Sequence, residues 1–188
     1  MAVLATGVPS ATNGSPGWDE RRWTSDSDGE LIGRRRYVAA MATLEGEYVP
    51  SASEWVRDQV DAYERSGGTE ANTLLDTGIP VIVVAMRGAK SGKVRKIALM
   101  RVEQEGSYAL VASKGGAPEH PSWYANLLAN PTEVTVQDGP EPFLVTVREV
   151  DGDERAEWWA RAAAVYPPYD EYQEKTDRVI PVLVAEPA

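Results

Sequence analysis

Residues 79–86, IPVIVVAM, form an unbroken apolar stretch containing three valines. Such a stretch reads as a β-strand buried on both faces, so its sheet must be covered on two sides. A glycine-bounded turn over residues 88–92 follows at once, and a second strand is expected over 94–102. Residues 103–106 read as another turn and 107–113 as a third, alternating strand. Residues 133–136 and 142–150 flank an Asp138-Gly139 turn and read as a hairpin. A last strand is expected over 179–184.

The helices are few. Ser51 or Ser53 caps a helix with Trp55, Val56, Val60 and Tyr63 on one face, ended by Gly67-Gly68. Pro121 occupies the first position of a short helix carrying Trp123, Tyr124, Leu127 and Leu128. Asp151 and Glu154 have the spacing of a capping box that opens a helix to Val165. Pro167-Pro168 breaks that helix, and a further helical segment spans 169–175. Short strands joined by hairpins predict a mainly β, antiparallel barrel with helices packed outside. There is no internal repeat and no βαβ alternation, so a Rossmann domain is not expected.

The beginning of the chain differs from the rest. Residues 6–29 are rich in Gly, Ser, Thr, Pro and Asp, a composition that cannot offset the entropy of ordering. They lack the basic and apolar regions of a secretory signal, and Arg34-Arg35-Arg36 sits too far inside the chain for a twin-arginine signal. Residues 1–48 are therefore expected to be a disordered extension, with Met41 an alternative start, and 49–188 the folded domain. No apolar run approaches the roughly 18 residues of a membrane-spanning helix. A cytoplasmic monomer or homodimer is expected, with peripheral membrane contact left open.

Composition narrows the chemistry. There is no cysteine and one histidine, His120. Disulfides, thiolate nucleophiles and cysteine-ligated metals are excluded, no two-histidine metal site exists within one chain, and no metal is expected. A Ser-His-Asp arrangement would have to pass through His120. Lysine, arginine, tyrosine, serine, carboxylates and backbone amides remain, a set that points to a borrowed cofactor. The net charge of −10 argues against a nucleic-acid partner. Residues 77–102, however, contain no acid and six cations: Arg87, Lys90, Lys93, Arg95, Lys96 and Arg101. This positive island suits a small polyanion, or else is a solvated hairpin whose charged edges resist aggregation.

Four segments carry candidate chemistry. In GAKSGKVRK (88–96), two glycines allow close backbone approach, and Lys90, Ser91 and Arg95 offer charge and hydrogen bonds to phosphate or carboxylate oxygens. Its spacing is not that of a Walker A loop. ASKGG (112–116) ends a strand with a second glycine pair. HPSWYAN (120–126) reads as a helix start, and alone is most simply an amphipathic helix with aromatic core residues. Tyr166, Tyr169 and Tyr172 repeat every three residues, which alone is the spacing of a packed stripe.

Taken in order, GAKSGKVRK, ASKGG, HPSWYANLLANP and YPPYDEYQEKTDRVIPV resemble the deazaflavin-dependent nitroreductase and quinone reductase family, actinobacterial proteins that use coenzyme F420. The resemblance spans about residues 51–187. It implies a split β-barrel, like that of FMN-binding oxidoreductases, with reduced deazaflavin in a groove across it. By position, it places the cofactor along Ala89, Lys90 and Ser91, then Arg95, Lys96, Ile97, Ala98, Leu99 and Met100. The cofactor run continues through Val111, Ala112, Ser113 and Lys114, then Ser122, Trp123, Tyr124, Ala125 and Asn126, to Tyr169. Met100 stands where some members carry tyrosine, and Ala89 where some carry arginine.

The implied reaction is hydride transfer from reduced F420 to a quinone or nitroaromatic acceptor. Tyr166, Tyr169 and Tyr172 would line the acceptor side, and a tyrosine hydroxyl or that of Ser113 would stabilise charge on the acceptor oxygen. Two alternatives stay open: an FMN- or haem-handling split-barrel protein, and a non-catalytic F420 carrier.

Overall fold

The computed structural model describes residues 42–188; the expected extension and the Met41 start lie, up to residue 41, outside the described residues. Four helices and seven strands follow in chain order. They are α1 (Glu54–Arg65), β1 (Val81–Arg87), β2 (Val94–Met100), β3 (Glu103–Gln104), β4 (Ser107–Val111), α2 (Ser122–Ala129), β5 (Val134–Gln137), β6 (Pro142–Val150), α3 (Gly152–Val165), α4 (Pro168–Glu174) and β7 (Val182–Pro187). The strands form one seven-stranded sheet in the order β2-β1-β5-β6-β7-β4-β3, every strand pair antiparallel.

Strand alternation explains how the sheet is covered. Ile82, Val84 and Met86 of β1 share a core with Leu110 of β4 and Leu183 of β7, although three strands separate β1 from β4 in the sheet. The sheet must therefore curl, and this core fills the inside of a half-barrel, the split barrel expected from the sequence. The intervening residues Val81 and Val83 face outward under Val60 and Tyr63 of α1. Farther round, Ala109, Val111, Val182 and Val184 face outward under Trp158, Ala162 and Tyr169 of α3 and α4. The unbroken apolar stretch thus has cover on both faces.

Several local expectations change. The turn expected at 103–106 is narrower, because Glu103 and Gln104 pair with Tyr108 and Ser107. Only Glu105 and Gly106 make the turn, with φ of 53° and 84°, a left-handed pair that matches hairpin twist. Pro121 precedes α2 instead of starting it. Asp151 opens α3 without a side-chain cap, because Glu154 is taken by Arg148 at 2.6 and 2.8 Å. The last strand runs three residues later than expected, where β4 and β6 supply partners on both sides. Asp138 accepts from Arg101 at 2.7 Å and from the Tyr108 hydroxyl at 2.9 Å, tying the β5–β6 turn to the β2–β3 link and to β4.

Residues 42–48, assigned to the extension by composition, are strapped onto the sheet. Ala42 donates to the Pro142 carbonyl at 3.1 Å, and Val94 exchanges bonds with Glu47 and Val49 at 2.9 and 3.0 Å. Arg87 reaches the Glu45 carbonyl at 3.1 Å. A chain beginning at Met41 is expected to keep the thermal midpoint of the full chain. A chain beginning at Ser51 loses these bonds and should melt lower, by about 2–4 °C per kcal/mol lost. Differential scanning calorimetry of the two truncations checks this.

Candidate active site

A cavity of about 690 Å³ opens between the β1–β2 turn, β2, the start of α2 and the segment entering α1. This volume lies within the usual range for small-molecule and cofactor sites. Gly88, Ala89, Lys90 and Ser91 supply one wall, Arg95, Lys96 and Ile97 a second, and Ser122, Trp123, Ala125 and Asn126 a third. Met86, Val56 and Val49 add apolar surface.

The charges decide what such a cavity can hold. Arg87 pairs with Glu133, Lys93 with Glu47 at 2.9 Å, Lys96 with both carboxylate oxygens of Glu64 at 2.7 Å, and Arg101 with Asp138 at 2.7 Å. Lys96 also lies over the Tyr48 ring at 4.7 Å. Among the described residues, Lys90 and Arg95 are the two cations of the island that meet no carboxylate, and both line the cavity. Arg95 reaches one backbone oxygen, that of Val49, at 3.4 Å. A chain with excess negative charge thus leaves two positive groups open at one concave site. That site suits an anion.

The turn is held in place. The Asn126 side-chain oxygen accepts from the Ala89 N–H at 2.9 Å, binding α2 to the turn. Gly88 accepts Gly92 N–H and donates to the Lys93 carbonyl. A side chain at Gly88 would put Cβ 2.9 Å from Ser91 Oγ and 3.2 Å from the Lys93 carbonyl oxygen, so glycine lets the turn close tightly there.

Other sequence candidates lie elsewhere. Alternation along β2 sends Leu99 into the barrel core, while Ala98 packs beside α1 and Met100 beside α3 and α4. The Tyr124 ring lies 4.7 Å from that of His120, and its hydroxyl donates to Glu149 at 2.8 Å. That bond and partial burial push the Tyr124 pKa up to about 12, burial being the larger cause. Ala112 enters the core beside Trp123, and Val111 packs on the opposite face. Ser113 is buried and Lys114 exposed at the start of the loop leading to α2, where Lys114 meets Glu119 at 3.4 Å.

The three tyrosines are brought together, but across a break. Tyr166 ends α3, whereas Tyr169 and Tyr172 lie in α4. The Tyr169 ring, 2% exposed, stands edge-on to Tyr166 at 5.1 Å and Tyr172 at 6.4 Å. Burial raises its pKa strongly. The hydroxyls of Tyr166 and Tyr172 are 3.0 Å apart. That bond, with burial second, pushes Tyr166 up to about 12, so its proton stays on at neutral pH. Tyr166 also lines a separate apolar recess of about 450 Å³ with Trp55, Leu74, Leu75 and Thr77. The recess and the cavity share the first turn of α1, through Trp55 and Val56 respectively. Val49, Ser51, Ala52 and Leu74 were not site candidates by sequence. Only the chain path brings them to these walls, and no local pattern marks it.

Comparison with known proteins agrees with this architecture. The model of the F420H(2)-dependent quinone reductase family matches residues 55–187. The F420H(2)-dependent quinone reductase Rv1261c of Mycobacterium tuberculosis is 38% identical over 108 residues, covering 56% of this chain and 72% of that protein. Rv3178 of the same organism is 34% identical over 109 residues, covering 58% of this chain and 91% of its own. The solved structure of an F420-H2 dependent reductase, FDR-A, is 57% identical with a TM-score of 0.54, covering 57% of this chain and 94% of that one. Another, described as a domain-swapped dimer, is 52% identical with a TM-score of 0.56, covering 72% of this chain and all of that one. None of these is named for FMN or haem, so the alternative cofactors find no support. The chain belongs to the F420H(2)-dependent quinone reductase family; it is an oxidoreductase whose cofactor is coenzyme F420.

Proposed function

We propose that the cavity beside the β1–β2 turn holds reduced F420 and that the electrons pass to a quinone. The observation that carries this reading is the pair of open cations, Lys90 and Arg95, at an otherwise neutralised positive island. The cofactor's phosphate and carboxylates match those two groups, and its flat ring matches the apolar wall of Met86, Ile97 and Trp123. When bound, the reduced deazaflavin supplies a hydride. The protein's own part is to hold the tail by charge, fix the turn through Asn126 and Ala89, and keep water from the apolar wall.

Hydride transfer needs the acceptor against the cofactor ring, so the quinone is assigned to the side of the cavity next to the apolar recess and its tyrosines, where the two share the first turn of α1. A quinone is flat and apolar with oxygens at its edges, and tyrosine offers both a ring face and a donor. Tyr166 lines the recess, and its hydroxyl is bonded to that of Tyr172, so Tyr166 can donate to an acceptor oxygen as charge builds there while Tyr172 donates to Tyr166. Nitroaromatic compounds have the same flat shape and oxygen acceptors, which makes them second substrates. Ser113 remains a second hydroxyl candidate at the end of β4.

Oxidation of reduced F420, followed by its absorbance, tests the reading against a series of quinones and nitroaromatics. Turnover is expected with quinones; tight F420 binding with no turnover would favour the carrier. The tyrosines are separated by single phenylalanine variants. Tyr166→Phe and Tyr172→Phe are expected to leave F420 affinity intact and lower quinone kcat/KM by about 1–2 kcal/mol of transition-state stabilisation. Tyr169→Phe should change kcat/KM less, because its ring is core and its hydroxyl is not part of the bonded pair. Unchanged kinetics in all three variants would return the tyrosines to a packing role.

A further inference from the structure

The loop between β4 and α2 lacks strand or helix partners for much of its backbone, and it contains Gly115 and Gly116 in left-handed conformations. Such a loop should be mobile. Instead, it rests on α4 at Gly116 and bonds the Pro181 carbonyl through the Ala112 N–H, and one side chain from the far end of the chain ties its two ends together. Arg178 Nε donates to the Ala117 carbonyl at 2.8 Å, and Nη2 donates to the carbonyls of Ser113 at 2.7 Å and Ala112 at 3.2 Å. Nη1 meets His120 Nδ1 at 3.1 Å. The rigid guanidinium fork therefore spans the loop from the end of β4 to the residues just before α2. No other side chain type presents donors in that geometry.

The geometry points to Arg178 as a positioning residue for the F420 cavity, acting through α2; this rests on the cofactor reading given above. The connection is continuous. Arg178 fixes Ala117 and His120, and His120 lies against Tyr124 on the first turn of α2. Ser122 and Trp123 on that turn line the cavity, and one turn later Asn126 bonds the Ala89 N–H. Loss of the clamp frees the start of α2, so the cavity wall and the cationic turn lose their mutual register. The acceptor recess has no wall from α2 or from this loop. The loop does touch the Tyr172 backbone at Gly116, so the larger effect should fall on the cofactor and a smaller one on the quinone.

The test is titration of oxidised F420, read by its fluorescence, into the full chain and the variants R178K, R178Q, N126A and R178Q/N126A. Each is measured well below its own unfolding transition. R178Q is expected to raise the F420 Kd about tenfold, the scale of a lost charge-assisted hydrogen bond. R178K should recover part of the loss, because an ammonium reaches some of the carbonyls but not all four partners. Because Arg178 and Asn126 hold one unit, the double variant should lose less affinity than the product of the single losses. The KM for F420H2 should rise more than the KM for quinone. A Kd for R178Q within about twofold of wild type, or multiplicative losses in the double variant, would overturn the clamp. Wild-type protein that fails to bind F420 would overturn the cofactor reading along with it. If R178Q does not fold, R178K decides: an unchanged Kd, or equal rises in both KM values, counts against the clamp.

Discussion

Arg95→Ala is expected to weaken F420 binding by about 1–3 kcal/mol, the scale of a charge-assisted hydrogen bond in a half-buried site. Lys90→Ala should cost less, because Lys90 is exposed and its charge is screened. The double variant should approach the sum, since the two stand on opposite sides of the turn. Neither residue is in an ion pair, so the thermal midpoint should barely move. Lys93→Ala is the control. Its ammonium is only a few residues away but is held by Glu47, so its loss should leave affinity nearly unchanged. Raising salt should weaken wild-type binding more than that of the double variant. Calorimetric titration of the five proteins at two salt concentrations measures all of this. Equal losses in Lys93→Ala and Arg95→Ala would show that the whole island, and not its two open cations, attracts the cofactor.

Gly116→Ala should cause the largest loss of stability. Its φ is +80°, and an added Cβ would lie 2.7 Å from the Tyr172 carbonyl oxygen and 3.2 Å from the Tyr172 Cα. Both atoms belong to the backbone of α4, which cannot step aside as a side chain could. Left-handed strain and overpacking together should cost about 2–4 kcal/mol. At about 2–4 °C per kcal/mol for a chain of this size, the midpoint should fall by several degrees or more. Gly115→Ala makes the comparison clean. Its φ is +65°, but nothing lies within 4 Å of the added Cβ. It should suffer only the left-handed penalty, about 1–2 kcal/mol. Equal midpoints for the two variants would mean that the loop does not rest on α4 as closely as this contact requires.

Much of the fold was legible because its signals are local. The apolar stretch of β1, the glycine turn and the Asp138-Gly139 hairpin each announce themselves within a few residues. The misplaced details have non-local causes. Asp151 and Glu154 have the spacing of a capping box, but Arg148 of β6, which also pairs with Glu186 of β7, draws the Glu154 carboxylate away and leaves the box unmade. Residues 42–48 look like the end of a tail by composition, yet the open edge of β2 and the first carbonyl of β6 bind them.

The candidate site divides in the same way. The sequence by itself determined the antiparallel strands, the cationic turn, and the absence of thiols and paired histidines that leaves the chemistry to a cofactor. Those properties depend on residue type and short spacing. It could not determine which cations remain available to a ligand. Apart from Glu103, which meets Arg101 from two positions away, the carboxylates that neutralise Arg87, Lys93, Lys96 and Arg101 lie 32 to 46 positions away along the chain. Likewise Asn126 meets Ala89 across 37 positions, and Arg178 meets Ser113 across 65. Only the curled sheet brings these groups within hydrogen-bonding distance, and electrostatic attraction acts over ångströms of space regardless of separation in sequence. Lys90 and Arg95 were already candidates by sequence; the tertiary structure adds that, among the described residues, they are the two cations of the island without a carboxylate partner, and that both line one cavity.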